Sequence, residues 1–256
     1  MGSRKKQLEM TVAVIQRRWG PNALRRLGNA PQPDIAHIPT GFPQLDKALQ
    51  IGGLPRGHIT ELLGTPTSGM STLALKVMAN AQEQGDTAAY IDLGRTFDPD
   101  YAVRCSVHLG RLLLVRPTSG REALEIAQAL IANGGAGILV FDSVPHLLSE
   151  PHRGRDMSSA LRRLVAALPR SACAPLFLTP LHFGPVTSPD NYPGDFTLPY
   201  HAAVRLLIEK EQWIMKRRDV AGYQARASVL KNDFGPPGKS ATIAITFNGV
   251  VHGNGT

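Results

Sequence analysis

Apolar positions along the chain follow two periods. Leu8, Val12, Ile15 and Trp19 recur at helical spacing and predict an N-terminal helix with one apolar stripe, stopped by Gly20-Pro21. Residues 1–30 read as a helical module of their own, and the proline-containing residues 30–39 as the linker that follows it. Beyond the linker, short apolar runs alternate with amphipathic segments. Residues 58–63 read as a buried strand, and Leu73, Leu75, Val77 and Met78 open a helix that runs to a cap at Gly85. Strands follow over 87–92, 112–115 and 138–141, the last ending at Asp142. The helices between them start at Asp98-Pro99 and at Ser119-Gly120, the second running to residue 132. Strands alternating with helices imply βαβ units and a mostly parallel sheet flanked by helices. After residue 150 the pattern changes to loops and shorter strands at 204–208, 225–230 and 241–247, predicted to be antiparallel and to extend one sheet edge. Residues 181–200 are rich in Pro, Gly, Ser and Asp without apolar periodicity and predict a loop, of a length that is often functional.

One turn in this pattern carries chemistry. Residues 64–72, Gly-Thr-Pro-Thr-Ser-Gly-Met-Ser-Thr, follow a strand and open a helix, as a phosphate-binding loop does, but Met70 stands where that pattern requires lysine. Gly64, Ser68, Gly69, Met70, Ser71 and Thr72 are the candidate phosphate-binding residues. Backbone N–H groups of such a loop, backed by a helix N-terminus, attract phosphate without any side chain. Ser71 keeps the hydroxyl that would hold Mg²⁺, with Asp142 at a neighbouring strand end as its partner. Met70 brings neither charge nor hydrogen bond. Loss of the cation harms catalysis more than shape, and by analogy with removal of one oxyanion donor turnover is expected to fall roughly 10²- to 10³-fold.

Composition narrows the setting. The chain has 256 residues, 43% of them apolar, enough for one sizeable α/β domain and a small appendage. Cys105 and Cys173 lie far apart without metal spacing, which predicts a reduced, cytoplasmic protein with buried thiols. The start of the chain holds no apolar signal segment, and no apolar run is long enough to span a bilayer. A net charge of +8 favours a polyanionic partner, since counterion release rewards clustered Lys and Arg on nucleic acid. Arg153, Arg155, Arg162, Arg163 and Arg170 face only Asp156 in charge, so this stretch is either a phosphate contact or a solvated helix face. In the 181–200 loop Phe183, Tyr192 and Phe196 either stack on nucleobases or plug the loop onto the core.

These residues together resemble the RecA recombinases, filament-forming ATPases that pair single-stranded DNA with a duplex. The likeness runs over nearly the whole chain. It includes residues 19–28, Ile38-Pro39-Thr40-Gly41, Leu45-Asp46 and Gly52-Gly53-Leu54-Pro55-Arg56-Gly57 before the loop. It continues through Tyr90-Ile91-Asp92, Asp98-Pro99 with Tyr101, Gly120 with Ala123-Leu124-Glu125-Ile126, and Asp142-Ser143-Val144. The resemblance implies a RecA-like core over 31–256, an N-terminal oligomerisation or docking module, and no C-terminal RecA domain. It implies Asp98 and Tyr101 as adenine contacts, and ATP with Mg²⁺ as a weakly bound or unhydrolysed cofactor.

The departures bear on activity. The family's water-activating glutamate aligns with Gly94, and its γ-phosphate-sensing glutamine with Pro180. Of two lysines that reach a neighbouring subunit's site, only Lys231 remains, with Asp233 in place of the other. Four losses in one reaction centre argue for abandoned hydrolysis, a pseudo-ATPase. The reading that follows is an accessory in recombination or damage tolerance. It would bind single-stranded or duplex DNA, a RecA-type recombinase, itself or a repair polymerase, as ImuA-type proteins of bacterial mutagenesis cassettes resemble it in their weakened loop. Leu8, Val12, Ile15 and Trp19 would make the subunit contact, or fold back on their own core. Two other readings stand beside it: an active DNA-dependent ATPase whose cation comes from elsewhere, such as Lys231, and a scaffold that binds only protein.

Overall fold

Contacts divide the chain into two units, residues 1–34 and 35–256. The structure, a computed structural model, describes residues 2–20, 23, 24, 35–149, 154–181, 188–190, 192, 196–247 and 251–253. In the first unit, α1 (Gly2–Trp19) sets Leu8, Val12, Ile15 and Trp19 along one stripe, and the guanidinium of Arg18 lies 4.8 Å from the centre of the Trp19 ring. Gly20 ends the helix in the left-handed region at φ 94°, where the absence of Cβ removes the steric cost.

The second unit runs β1 (His37–Ile38), α2 (Pro43–Leu49), β2 (Leu54–Pro55), β3 (Ile59–Gly64), α3 (Met70–Glu83), β4 (Ala88–Asp92) and α4 (Pro99–Arg104). It continues with β5 (Leu112–Val115), α5 (Gly120–Ala132), β6 (Ile138–Asp142), α6 (Val144–Leu147), α7 (Gly154–Ala167) and β7 (Ala174–Pro180). Last come α8 (Leu198–His201), β8 (Ala202–Lys216), β9 (Asp219–Asn232), β10 (Ser240–Phe247) and β11 (Val251–Gly253). One sheet has the order β11-β10-β9-β8-β3-β7-β6-β4-β5. From β8 to β5 all neighbours are parallel, and β8, β9, β10 and β11 pair antiparallel. Every residue of β3 and β4 is buried, as strands covered on both faces must be. On one face α2, α3 and α4 pack with Leu62, Val140, Leu206 and Ile208. On the other, α5, α6 and α7 pack with Leu63, Phe141 and Phe177, whose stacked rings lie 4.1 Å apart.

The segments predicted as short antiparallel strands do extend one edge of the sheet in antiparallel pairing, but differ in length and in one neighbour. β8 lies parallel to β3, and β8 and β9 are long, joined by a two-residue turn in which Arg217 takes φ 59°. A nearly continuous apolar run marks only the half of β8 that the core covers; from Glu209 to Lys216 the strand is mostly exposed, so its sequence carries no such signal. Helix α2 was not predicted as an element, and α7 corresponds to the helix of one of the two readings given for the basic stretch. Among the described residues no helix is long and apolar enough to cross a membrane.

Buried polar side chains tie one loop to this sheet. Glu61, in the middle of β3, is fully buried and accepts from Arg205 Nε at 2.7 Å, from Thr179 Oγ1 at 2.7 Å and from the hydroxyl of Tyr192. Arg205 in turn donates to the carbonyl of Pro189 and to Asp190. Thr179, Arg205 and Glu61 sit on adjacent strands β7, β8 and β3, and the loop bearing residues 189–192 closes the cluster.

Candidate functional site

β3, β7, β6 and β4 are in register, so their C-terminal ends form one rim: Gly64 lies opposite Pro180, Leu178 opposite Asp142, and Asp142 opposite Asp92. The loop after β3 turns tightly against this rim. A Cβ at Gly64 would lie 2.5 Å from the Ile208 carbonyl oxygen and from Ser68 Oγ, which only glycine avoids. Thr67 takes φ 67°, Ser68 N–H donates to the Thr65 carbonyl, and Gly69 starts α3 at φ 107°. A cavity of about 350 Å³ opens over this helix start, walled by residues 66–72 together with Tyr101, Asp142, Leu178 and Pro180, and by Lys210, Trp213, Tyr223 and Phe247 from the antiparallel strands. The N-terminal N–H groups of α3 have no intrahelical partners. Ser68 Oγ is buried against Gly64, without a hydrogen-bond partner among the described residues.

Met70 is buried and packs in the core with α3's other apolar residues, so the side chain at the lysine position is part of the floor. Ser71 is exposed at the cavity, and Thr72 Oγ1 lies 2.6 Å from the hydroxyl of Tyr101 and 3.3 Å from that of Tyr223. Burial and its neighbours raise Tyr223 to about 12, so it stays a neutral hydrogen-bond donor. Asp98 caps α4, its carboxylate accepting from Tyr101 N–H at 2.9 Å, and so positions Tyr101 rather than lining the cavity itself.

Asp142 accepts from the Tyr90 hydroxyl at 2.5 Å. Burial raises its pKa, the Tyr90 donation lowers it, and the Asp92 charge raises it again, with a net upward shift. Asp92 itself is held by Arg116 at 3.0 Å. Because the folded value exceeds the unfolded one, the folded state binds the extra proton and stability falls as pH rises through that interval. Asp142→Asn, whose amide oxygen still accepts from Tyr90, is therefore expected to remove up to about one proton's worth of this slope. Urea midpoints followed upward from pH 4 test it; Asp46, also raised by burial, supplies a residual slope of the same sign.

Gly94 lies beside α6. A Cβ there would come within 2.9 Å of His146 Cε1, and His146 Nδ1 lies 2.9 Å from Ser143 Oγ. A carboxylate side chain cannot be placed at 94 unless His146 moves. Pro180, at the end of β7, presents only its ring to the cavity, and the next N–H, that of Leu181, goes to the Gly64 carbonyl at 2.7 Å.

The structure thus gathers Ser68 to Thr72, Tyr101, Asp142 and Pro180 around one space, with Gly64 at its root. Lys231 is elsewhere: it donates to the Tyr200 carbonyl at 3.0 Å and lies 3.8 Å from Asp233, outside the cavity wall. Arg162 and Arg163 are exposed on α7, where Arg162 bonds Ser159 and Arg163 lies 3.9 Å from Glu125. Arg153 and Phe183, and the side chain of Arg155, lie outside the described residues. Phe196 is buried in the second core face and Tyr192 packs against it, so these rings hold the loop to the core, the second of the two roles expected for them. Sequence reasoning missed Lys210, Trp213, Tyr223 and Phe247. The signal for Lys210 was the alternation Leu206, Ile208, Lys210, which carries one face of β8 past the end of β3.

Comparison with known proteins agrees with this architecture. The model of the RecA N-terminal domain family matches residues 6–252. Protein RecA of Caldanaerobacter subterraneus is 37% identical over 265 residues, covering 96% of this chain and 77% of that protein. Protein RecA of Mycolicibacterium gilvum is 39% identical over 262 residues, covering 95% of this chain and 74% of that protein. The crystal structure of the RadB recombinase superposes with a TM-score of 0.64 at 23% identity, over 82% of this chain and 96% of that one.

Proposed function

The chain belongs to the RecA family, and from that premise we propose that it is a recombination and repair accessory that binds nucleoside triphosphate and DNA with little or no hydrolysis. The observation that carries this reading is the wall of the cavity. The phosphate loop keeps its glycines, its left-handed turn and the free helix start, yet Met70 and Pro180 in that wall offer no cation and no amide, and Gly94, outside the wall, no carboxylate. Binding by backbone N–H groups survives those substitutions, whereas activation of water and compensation of developing charge do not.

Proteins of this family use ATP with Mg²⁺, and the residues here fit such a group in part. The loop N–H groups would face the phosphates, and the exposed Ser71 hydroxyl and Asp142 would hold the metal. When bound, the metal would neutralise phosphate charge. Asp142 already accepts from Tyr90 and is raised by burial, so it is a weaker metal ligand than an exposed carboxylate. The exposed Arg162 and Arg163 on α7 supply phosphate contacts to DNA, and residues 1–34 dock a further subunit or a recombination partner.

Titration calorimetry with ATP and Mg²⁺, with and without single-stranded DNA, followed by phosphate release on the same sample, tests the reading. Binding without turnover is expected. Absence of nucleotide binding would leave the fold as a docking surface, and DNA-stimulated release abolished by Asp142→Ala would make the chain an active ATPase. DNA affinity is expected to fall steeply with salt and to drop on reversing Arg162 and Arg163 to glutamate.

A further inference from the structure

The phosphate loop lacks its cation at position 70, but the cavity does not lack a cation. Lys210 stands in its wall, delivered by β8. Ile208 is the last β8 residue paired with β3, opposite Gly64, so Lys210 lies two residues past the point where the phosphate loop leaves the sheet. Alternation puts Lys210 on the face of Leu206 and Ile208, which is the face that packs against α3. The pairing with β9 then skips Glu211, and this extra residue turns Trp213 to the same side. Lys210 Nζ consequently sits 3.1 Å from the centre of the Trp213 ring and 6.0 Å from that of Tyr223. Among the described residues no carboxylate pairs with it; the adjacent Glu211 is taken by Arg226 at 2.5 Å. A half-buried ammonium balanced only by aromatic faces is a cation available to an anion, since a cation–π contact of about 0.5–2 kcal/mol is weaker than a charge-assisted bond to phosphate.

We propose that Lys210 replaces the missing loop lysine from within the same chain: it leaves the Trp213 ring to bind the terminal phosphates of a nucleoside triphosphate held by the loop. The inference rests on the nucleotide reading above. Because Lys210 approaches from the sheet side and not along α3, it supplies charge for binding without restoring the side chains absent at Gly94 and Pro180. Trp213 reports the exchange, because its ring loses an ammonium when phosphate enters.

The test compares the full chain with Lys210→Met and Lys210→Arg, titrating ATP, ADP and adenosine with Mg²⁺ by calorimetry. Trp213 emission is followed in a Trp19→Phe background, with inorganic tripolyphosphate as a second probe. The expected result is that Lys210→Met weakens ATP binding about tenfold or more, leaves adenosine unchanged and abolishes the tripolyphosphate response of Trp213, while Lys210→Arg keeps most of the affinity. ATP affinity within twofold of wild type in Lys210→Met, with the parent binding ATP, would overturn the role of Lys210 and leave the nucleotide reading standing. Failure of the parent itself to bind ATP would overturn both. Lys210→Arg guards against misfolding: a fold lost in the methionine variant but kept in the arginine variant still yields the ATP comparison, and arginine binding no better than adenosine would also count against the proposal.

Discussion

Glu61→Gln is expected to lower the unfolding free energy by about 2–4 kcal/mol, because it removes the buried anion of Arg205 and leaves only the exposed Asp190 carboxylate, 3.3 Å away, to balance the guanidinium. Glu61 is fully buried in the middle of a strand covered on both faces, and three side chains converge on it: Arg205, Thr179 and Tyr192. A glutamine keeps one acceptor but turns an N–H₂ group toward donors, so the loss is one of charge and of polarity together. Urea unfolding measures it, and a change below about 1 kcal/mol would show that the pair is solvated in solution. The effect extends beyond stability, since Arg205 holds the Pro189 carbonyl and Tyr192 spans from the loop to Glu61. Amide exchange at Ser188 and Asp190 should accelerate in the variant more than exchange in α3, which shares no atom with the cluster. The apolar double variant Glu61→Leu with Arg205→Met should recover only part of the loss, because Thr179 and Tyr192 then have no acceptor.

That cluster shows what a sequence discloses and what it hides. Glu61 is a lone carboxylate in the run Ile-Thr-Glu-Leu-Leu-Gly, and burial of an unpaired charge is too costly to stand. The need for a partner is therefore legible, but the partner is not: Arg205 is 144 residues away and meets Glu61 only because β8 enters the sheet beside β3. The parallel half of the sheet was readable for a related reason, since strands buried on both faces must be continuously apolar. Outside the covered region the rule lapses. The outer half of β8 carries Glu209, Lys210 and Glu211 like any exposed loop, so its length was not visible. The same difference governs the site. Gly64, Gly69 and the residues between them are constrained by local backbone geometry and declare themselves by spacing. Lys210 and Trp213 reach the cavity through a strand crossing and one extra residue in the β8–β9 pairing, features of assembly that no short window of sequence encodes. Lys231, which the resemblance assigns to a neighbouring subunit's site, lies on β9 opposite Arg205 and outside the wall of its own chain's cavity.

Met70→Lys is expected to raise ATP affinity about tenfold or more while phosphate release stays within a few-fold of the parent. Met70 opens α3 at the cavity wall, and a lysine stem of similar length can follow its path along the floor while the ammonium emerges toward the loop N–H groups. The substitution gives up buried thioether packing, a cost of about 1 kcal/mol that ligand binding offsets when nucleotide is present. Turnover needs more than this charge. At Gly94 the space that a water-activating carboxylate would take is bounded by His146, 2.9 Å from an ideal Cβ, and at Pro180 no side-chain amide exists to sense a terminal phosphate. A rise in phosphate release of roughly 10²-fold or more from Met70→Lys alone would mean that the charge was the only lesion, and would defeat the reading of a site that binds without turning over. Combining it with Lys210→Met separates the two cations. If both act on the same phosphates, the double variant recovers the ATP affinity that Lys210→Met loses, and the two single effects fail to add.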